Sequence, residues 1–250
     1  MGHHGGVPPR EPYYRQDLAL VHHRGFGFHA EACAPGMMRL LRPVLERRGT
    51  VVEIGCGSGL LSAFLVEAGH RLIATDGSPA MVALAAQSVP GAREVRLLSL
   101  PDDPLPPADA VVGVGHVLNY LPDAAAVDRA LVAMAGALRP GGMLAFDLCD
   151  LEYGRARRHA PSLGRVGEDW AVVSRFEIPA PDIFVRHMAT FVRNADGSWR
   201  RDDERHHNVL LDTAAVARRL TSLGVEAEVR DGFGDEELPV GLRVVVGRRR

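Results

Sequence analysis

The sequence predicts an α/β protein built on a doubly wound, mostly parallel sheet. Three observations carry this. Between residues 50 and 150, short apolar runs alternate with helix-length segments, the order that puts helices on both faces of a parallel sheet. A glycine-rich turn, VVEIGCGSG at residues 51–59, joins the first run to the first of these helices. Beyond residue 150 three long extended segments intervene before a last helix and strand pair.

The elements follow in order. Residues 1–12 are rich in Gly, His and Pro and are expected to be mobile. Residues 13–48 carry a helical pattern in Leu18, Leu20 and Val21, then Met37, Met38, Leu40, Leu41, Val44 and Leu45. The glycines of HHRGFGFHA between them predict a break. TVVEI reads as the first strand, and SGLLSAFLVEAG as a helix stopped at Gly69. HRLIATD is the second strand. SPAMVALAAQS is a helix with Ser78 as N-cap and Pro79 at its first position. AREVRLLSL and ADAVVGVG are strands three and four, the latter followed by VLNYLP. DAAAVDRALVAMAGALRPGG is a helix capped by Asp123 and closed by Pro-Gly-Gly, and GMLAFDLCD is the fifth strand.

The three segments DWAVVSRFEIP, DIFVRHMATFVRN and SWRRDDERHHNVLL predict an inserted antiparallel sheet, turning at PAPD and ADG. DTAAVARRLTSLG resumes a helix between Asp212 and Gly224, and VEAEVRDGF and LRVVVGRR supply two last strands, seven in the main sheet. The expected division is an N-terminal helical lid at 1–48, a core at 49–150 and 212–250, and an inserted sheet covering substrate at 151–211.

Composition narrows the function. The 250 residues suffice for one domain with an insertion. A net charge of −2 supplies no field to recruit nucleic acid or anionic membrane. All 29 basic residues are Arg, which excludes a Walker-type phosphate loop and a pyridoxal Schiff base, both of which need Lys. The three cysteines, Cys33, Cys56 and Cys149, form no CxxC pair. With no secretory signal and no membrane-spanning run, they predict a cytoplasmic protein. The pairs His22-His23 and His206-His207 predict no metal site, because neighbouring side chains diverge and no third ligand stands at a recognisable spacing.

The glycine loop is more specific. A dinucleotide fingerprint starting at Gly55 would need glycine where Leu60 stands. The spacing is instead Glu53-x-Gly55-x-Gly57-x-Gly59, and Asp76 ends the next strand, where a carboxylate can accept both hydroxyls of a ribose.

With these motifs the chain resembles the class I S-adenosylmethionine-dependent methyltransferases. VVEIGCGSG matches their first motif, ATDGSPAMVALA their ribose-binding strand and helix, and LRPGGMLAFDL the approach to their fifth strand. The resemblance implies a seven-stranded Rossmann-like sheet and S-adenosyl-L-methionine as cofactor. It implies that Glu53, Gly55, Gly57 and Gly59 line the methionine end and Asp76 the ribose, with Cys56 and Met81 also in the cofactor-binding set. Gly77 or Ser78 then borders the adenine, with Ser99 and Leu100 in the adenine loop. The family often has Asp at that point; here Ser99, or Asp102 slightly later, would serve. Gly115 and His116 would face the sulfonium. In related small-molecule enzymes the N-terminal segment covers the cofactor, which brings in Tyr14 and His22.

Transfer from a sulfonium is an in-line displacement, so positioning and exclusion of water supply much of the rate. His116 and His22 are the candidate proton acceptors. Asn119 and Tyr120 follow the fourth strand, at the carboxyl end where open α/β sheets bind ligands. Three inserted strands also occur in glycine and amino-sugar N-methyltransferase-like enzymes, where they roof the acceptor and sometimes mediate dimerisation. That resemblance makes Tyr153, Arg155, Arg175, Arg186 and His206 acceptor-site candidates and leaves a homodimer open. Strand alternation turns about half of such residues to solvent. The expected reaction is methyl transfer to N or O of a small molecule. The rivals are a nucleic-acid methyltransferase, though LNYLPD is not its Asn/Asp-Pro-Pro-Tyr motif, and a non-catalytic cofactor-binding protein.

Overall fold

The computed structural model describes residues 12–250; the expectation for the Gly- and His-rich segment before them lies outside the described residues. Two helices come first, α1 (Gln16–Gly25) and α2 (Phe28–Glu46), broken at Phe26-Gly27 as the glycines predict. The core then alternates β1 (Thr50–Ile54), α3 (Leu60–Glu67), β2 (Arg71–Asp76), α4 (Pro79–Ser88), β3 (Glu94–Leu97), β4 (Ala108–Gly113), a 3-10 turn (Val117–Tyr120), α5 (Ala124–Ala137) and β5 (Leu138–Cys149). The three expected caps are present: Ser78 Oγ accepts from Met81 N–H, Asp123 from Ala126 N–H and Asp212 from Ala215 N–H.

The insertion holds α6 (Leu151–Arg157), β6 (Leu163–Val166), β7 (Trp170–Ala180), β8 (Ile183–Arg193) and β9 (Trp199–Val209), and the chain closes with α7 (Thr213–Ser222), β10 (Val225–Arg230) and β11 (Leu242–Arg249). The main sheet has seven strands in the order β10-β11-β5-β4-β1-β2-β3, with β11 antiparallel to both neighbours. The inserted sheet is β6-β7-β8-β9, all antiparallel. It has four strands where three were expected, because β6 is a four-residue edge too short to carry an alternation of its own. α6 was likewise unread: seven residues are two turns, and what starts it is the Asp150 carboxylate accepting from Glu152 N–H. The segment Arg139-Pro140-Gly141-Gly142, expected to close α5, is extended and belongs to β5, with Leu138 already paired to Ala108.

Successive residues of the central strands feed opposite cores. Val52 and Ile54 pack with α5 and α7, whereas Val51 and Cys56 pack with α2 and α3. A third cluster sets Leu18 and Val21 of α1 on Trp170, Val172, Met188 and Val192 of the inserted sheet. α1 is therefore held against the insertion, over the carboxyl ends of β1 and β4. Those two strands flank the reversal of strand order, where open α/β sheets form their ligand crevice. Among the described residues no helix is long and apolar enough to cross a membrane.

Candidate functional site

A cavity of about 300 Å³ occupies that crevice. Its floor is the turn after β1. Gly55 and Gly57 adopt positive φ, +60° and +56°, which L side chains rarely tolerate. A Cβ on Gly57 would meet only Met81 Sδ at 4.0 Å, and one on Gly115 would meet nothing within 4 Å. Backbone is thus laid open to a ligand at both places.

Asp76 organises this floor. Its Oδ2 accepts from Gly57 N–H and its Oδ1 from Ser78 N–H, both at 2.8 Å. Burial pushes its pKa up against the pull of these backbone bonds. Glu53 is buried beneath the loop, takes a hydrogen bond from Ser62 Oγ, and burial raises its pKa to about 8. Glu53, Gly55, Cys56, Gly57, Asp76, Gly77, Ser78, Met81, Ser99, Leu100 and Gly115 all line the cavity. Gly59 does not. It starts α3 at φ +87°, and a Cβ there would overlap Val89, so its role is packing rather than ligand contact. The exposed glycine backbone, a ribose-sized acceptor at Asp76 and the Ser99–Leu100 wall fit an adenosyl group.

The opposite wall comes from the N-terminal segment and the insertion. Tyr14, at φ +56°, is held on three sides. Its N–H donates to Glu204 Oε2 at 2.8 Å, its carbonyl accepts from Ser78 Oγ at 2.8 Å, and its hydroxyl lies 2.9 Å from that of Tyr120. Tyr13, Tyr14, His22 and Tyr120 line the cavity. The His22 ring stacks on Phe26, its Nδ1 has no partner, and burial, then the charge of Arg186, depress its pKa to about 3. His23 turns the other way, to Ser58 Oγ at 3.0 Å.

Three predicted residues form a layer behind this wall. His116 stacks on Tyr120 with ring centroids 5.3 Å apart, outside the cavity lining, and burial holds its pKa near 4. His206 is buried, with Nε2 2.8 Å from Glu204 Oε2. Tyr153 lies between the rings of His116 and Phe184. Arg186 joins them and donates from Nη2 to Tyr14 Oη at 3.2 Å. All four tyrosines of the chain gather here.

The remaining candidates are corrected. Arg155 and Arg175 are exposed, Arg175 reaching only Glu177. Asn119 is fully buried and spends its amide on backbone. Nδ2 donates to Cys149 O and Val209 O, and Oδ1 accepts from Cys149 N–H. It ties the 3-10 turn to β5 and β9 and has nothing left for a substrate. Asn119→Ala should therefore lower the unfolding free energy by about 2–4 kcal/mol in urea denaturation, while cofactor affinity stays within threefold; the reverse pattern would return Asn119 to the binding surface.

Sequence reasoning missed His29, Asp147 and Glu204. Asp147, buried in β5, accepts from Gly115 N–H at 2.9 Å and His116 N–H at 2.7 Å, and its Oδ2 lies 2.9 Å from His29 Nε2. A lone acid inside the apolar run LAFDLC was a readable signal, since a buried charge needs partners. His29 and Glu204 carried none, their partners lying 118 and 190 residues away. Among the described residues no group of three His, Cys, Asp or Glu could hold a metal ion.

Comparison with known proteins bears on this geometry. Residues 52–144 match a family model described as a methyltransferase domain. An uncharacterized methyltransferase of Mycobacterium tuberculosis is 30% identical over 175 residues, 67% of this chain and 68% of that one. Trans-aconitate 2-methyltransferase of Azoarcus is 33% identical over 111 residues, but the match spans only 44% of this chain and 42% of that enzyme. Among solved structures, the sugar N-methyltransferase KedS8 of Streptoalloteichus superposes with a TM-score of 0.79 at 25% identity, covering 98% of each chain. CalS10 of Micromonospora echinaspora, an amino pentose methyltransferase solved with S-adenosylmethionine bound, gives 0.70 at 20% identity over 96% of this chain and 99% of its own.

Proposed function

This chain belongs to the class I S-adenosylmethionine-dependent methyltransferases, and we propose that its acceptor is the amine nitrogen of a small molecule. The observation that carries the reading is the cavity itself. One cleft of about 300 Å³ runs from the Asp76 floor to the Tyr13, Tyr14, His22 and Tyr120 wall, under α1 and the inserted sheet. A cleft of this size with no Arg in its lining suits a small acceptor, whereas a nucleic acid needs a broad, basic face. KedS8, a sugar N-methyltransferase, shares this architecture over nearly its whole length.

The cofactor, when bound, supplies a methyl already activated on a sulfonium; alignment and dryness are left to the chain. Glu53, Gly57, Asp76 and Ser99 hold and orient it. α1 and the inserted sheet exclude water. His22, with a pKa of about 3, is neutral at physiological pH and too weak a base to take a proton efficiently. Its lone pair instead aligns the acceptor by accepting an N–H, and the amine arrives already deprotonated.

The test offers the protein paired amino and hydroxy sugars with S-adenosylmethionine and follows methyl incorporation by mass spectrometry. Amino sugars should be methylated and the hydroxy partners not. The rate should rise with pH through the acceptor's own pKa, with no break near 6.5. Turnover of hydroxyl or carboxylate acceptors without amines would overturn the nitrogen assignment.

A further inference from the structure

Arg186 is a half-buried cation without an anion, its Nε fully buried. It sits on the inner face of the inserted sheet, in direct cross-strand register with Phe176 on β7 and His206 on β9. Its Nε has no hydrogen-bond partner, and among the described residues no carboxylate lies within ion-pair distance. The two buried carboxylates of this region are occupied. Glu204 takes the N–H groups of Tyr14 and Arg15 and lies against His206. Asp147 takes those of Gly115 and His116 and lies against His29. The neighbouring imidazoles of His22, His116 and His206 are held neutral, by burial first and by this same charge.

A guanidinium with a buried, unpartnered Nε and no counter-ion is costly unless something pairs with it. Its reach into the cavity is through hydroxyls. Nη2 donates to Tyr14 Oη, which lies 2.9 Å from Tyr120 Oη, and both tyrosines line the cavity. A hydroxyl polarised by a cation is a stronger donor toward an anion. We propose that Arg186, acting with Tyr14 and Tyr120, forms an oxyanion subsite that selects acceptors carrying a carboxylate or phosphate group beside the reacting atom. The proposal rests on the small-molecule reading above, and it disfavours a bare ammonium at the same wall.

Two arms test it. Protein saturated with S-adenosylhomocysteine is titrated calorimetrically with inorganic phosphate and with acetate at matched ionic strength. At least one anion should bind saturably, and the tighter one names the group. Arg186→Gln should weaken it at least tenfold, Arg186→Lys should restore part, and the exposed Arg175→Gln should change nothing. Should Arg186→Gln fail to hold S-adenosylhomocysteine, Tyr14→Phe decides, with at least a threefold loss expected. No saturable anion binding, or equal binding by the variants, overturns the subsite. In the second arm, glucosamine 1-phosphate, whose phosphate stands next to the amine, should show a KM at least tenfold below that of glucosamine, an advantage lost in Arg186→Gln while kcat moves less than threefold. If hydroxy acceptors are methylated and amines are not, while anion binding needs Arg186, the nitrogen reading falls and the subsite stands. If both amino sugars are methylated with no Arg186-dependent preference, the subsite falls and the nitrogen reading stands.

Discussion

Asp76→Ala is expected to bind S-adenosylhomocysteine about 100-fold more weakly than the unaltered protein. The carboxylate does two things at once. Its oxygens hold Gly57 and Ser78 by their N–H groups, fixing the loop whose backbone faces the cavity, and on the proposed reading their remaining lone pairs take the ribose hydroxyls. A hydrogen bond to a charged group contributes about 1.5–3 kcal/mol, and about 1.4 kcal/mol is tenfold in affinity. Losing two such contacts, less what water recovers, gives the factor stated. Asp76→Asn keeps one acceptor oxygen but turns an amide against a backbone N–H, so a loss of about tenfold is expected. Titration calorimetry with the product cofactor reads both. An affinity within threefold for Asp76→Ala would mean that the glycine loop holds its shape, and the ribose its place, without this carboxylate.

The site divides by how far its contacts reach along the chain, and legibility follows that division. The cofactor half is local. Glu53, Gly57 and Asp76 lie within 24 residues of one another on a strand-turn-helix-strand unit whose signals are all short range. The acceptor half is assembled at separations of 106 residues for Tyr14 and Tyr120, 172 for Arg186 and Tyr14, and 190 for Tyr14 and Glu204. Nothing in the sequence encodes such pairings directly. Arg175 and Arg186 read alike as strand arginines, and only register separates them. Arg175 pairs with His187 on the outer face, whereas Arg186 pairs with Phe176 and His206 on the inner one. A one-residue shift would exchange them. Gly59 and Asn119 misled for another reason. A motif position identifies a turn, and turns need glycines and amides for packing as well as for ligands.

Asp147 is where α2 and the cavity wall meet, and its replacement should show the largest stability effect. Asp147→Asn is expected to lower the unfolding free energy by about 3–4 kcal/mol near pH 6, because its oxygen still takes the N–H groups of Gly115 and His116 but its amide nitrogen turns a donor on His29, which loses its anion. The pair also sets a pH window. Burial alone would lower the His29 pKa, but the hydrogen bond and charge of Asp147 raise it above 6.5. Burial would raise Asp147, yet His29 and the backbone donors bring it below 3.8. The His29 contribution is full below its unfolded value and is lost as pH rises through the raised one. That of Asp147 is present above its unfolded value and is lost as pH falls through the lowered one. The pair therefore stabilises most between about pH 4 and 6.5. Urea denaturation should find the gap between the unaltered protein and His29→Gln widest at pH 5.5 and narrower at pH 9. A gap that is constant or widens with pH would remove the ion pair from the account. Because His29 opens α2 and Asp147 fixes the Gly115-His116 turn, loss of the His29 proton is expected to loosen α2 at the wall of the cavity. The KM for the cofactor should then rise on the alkaline side in the unaltered protein and stay flat in His29→Gln.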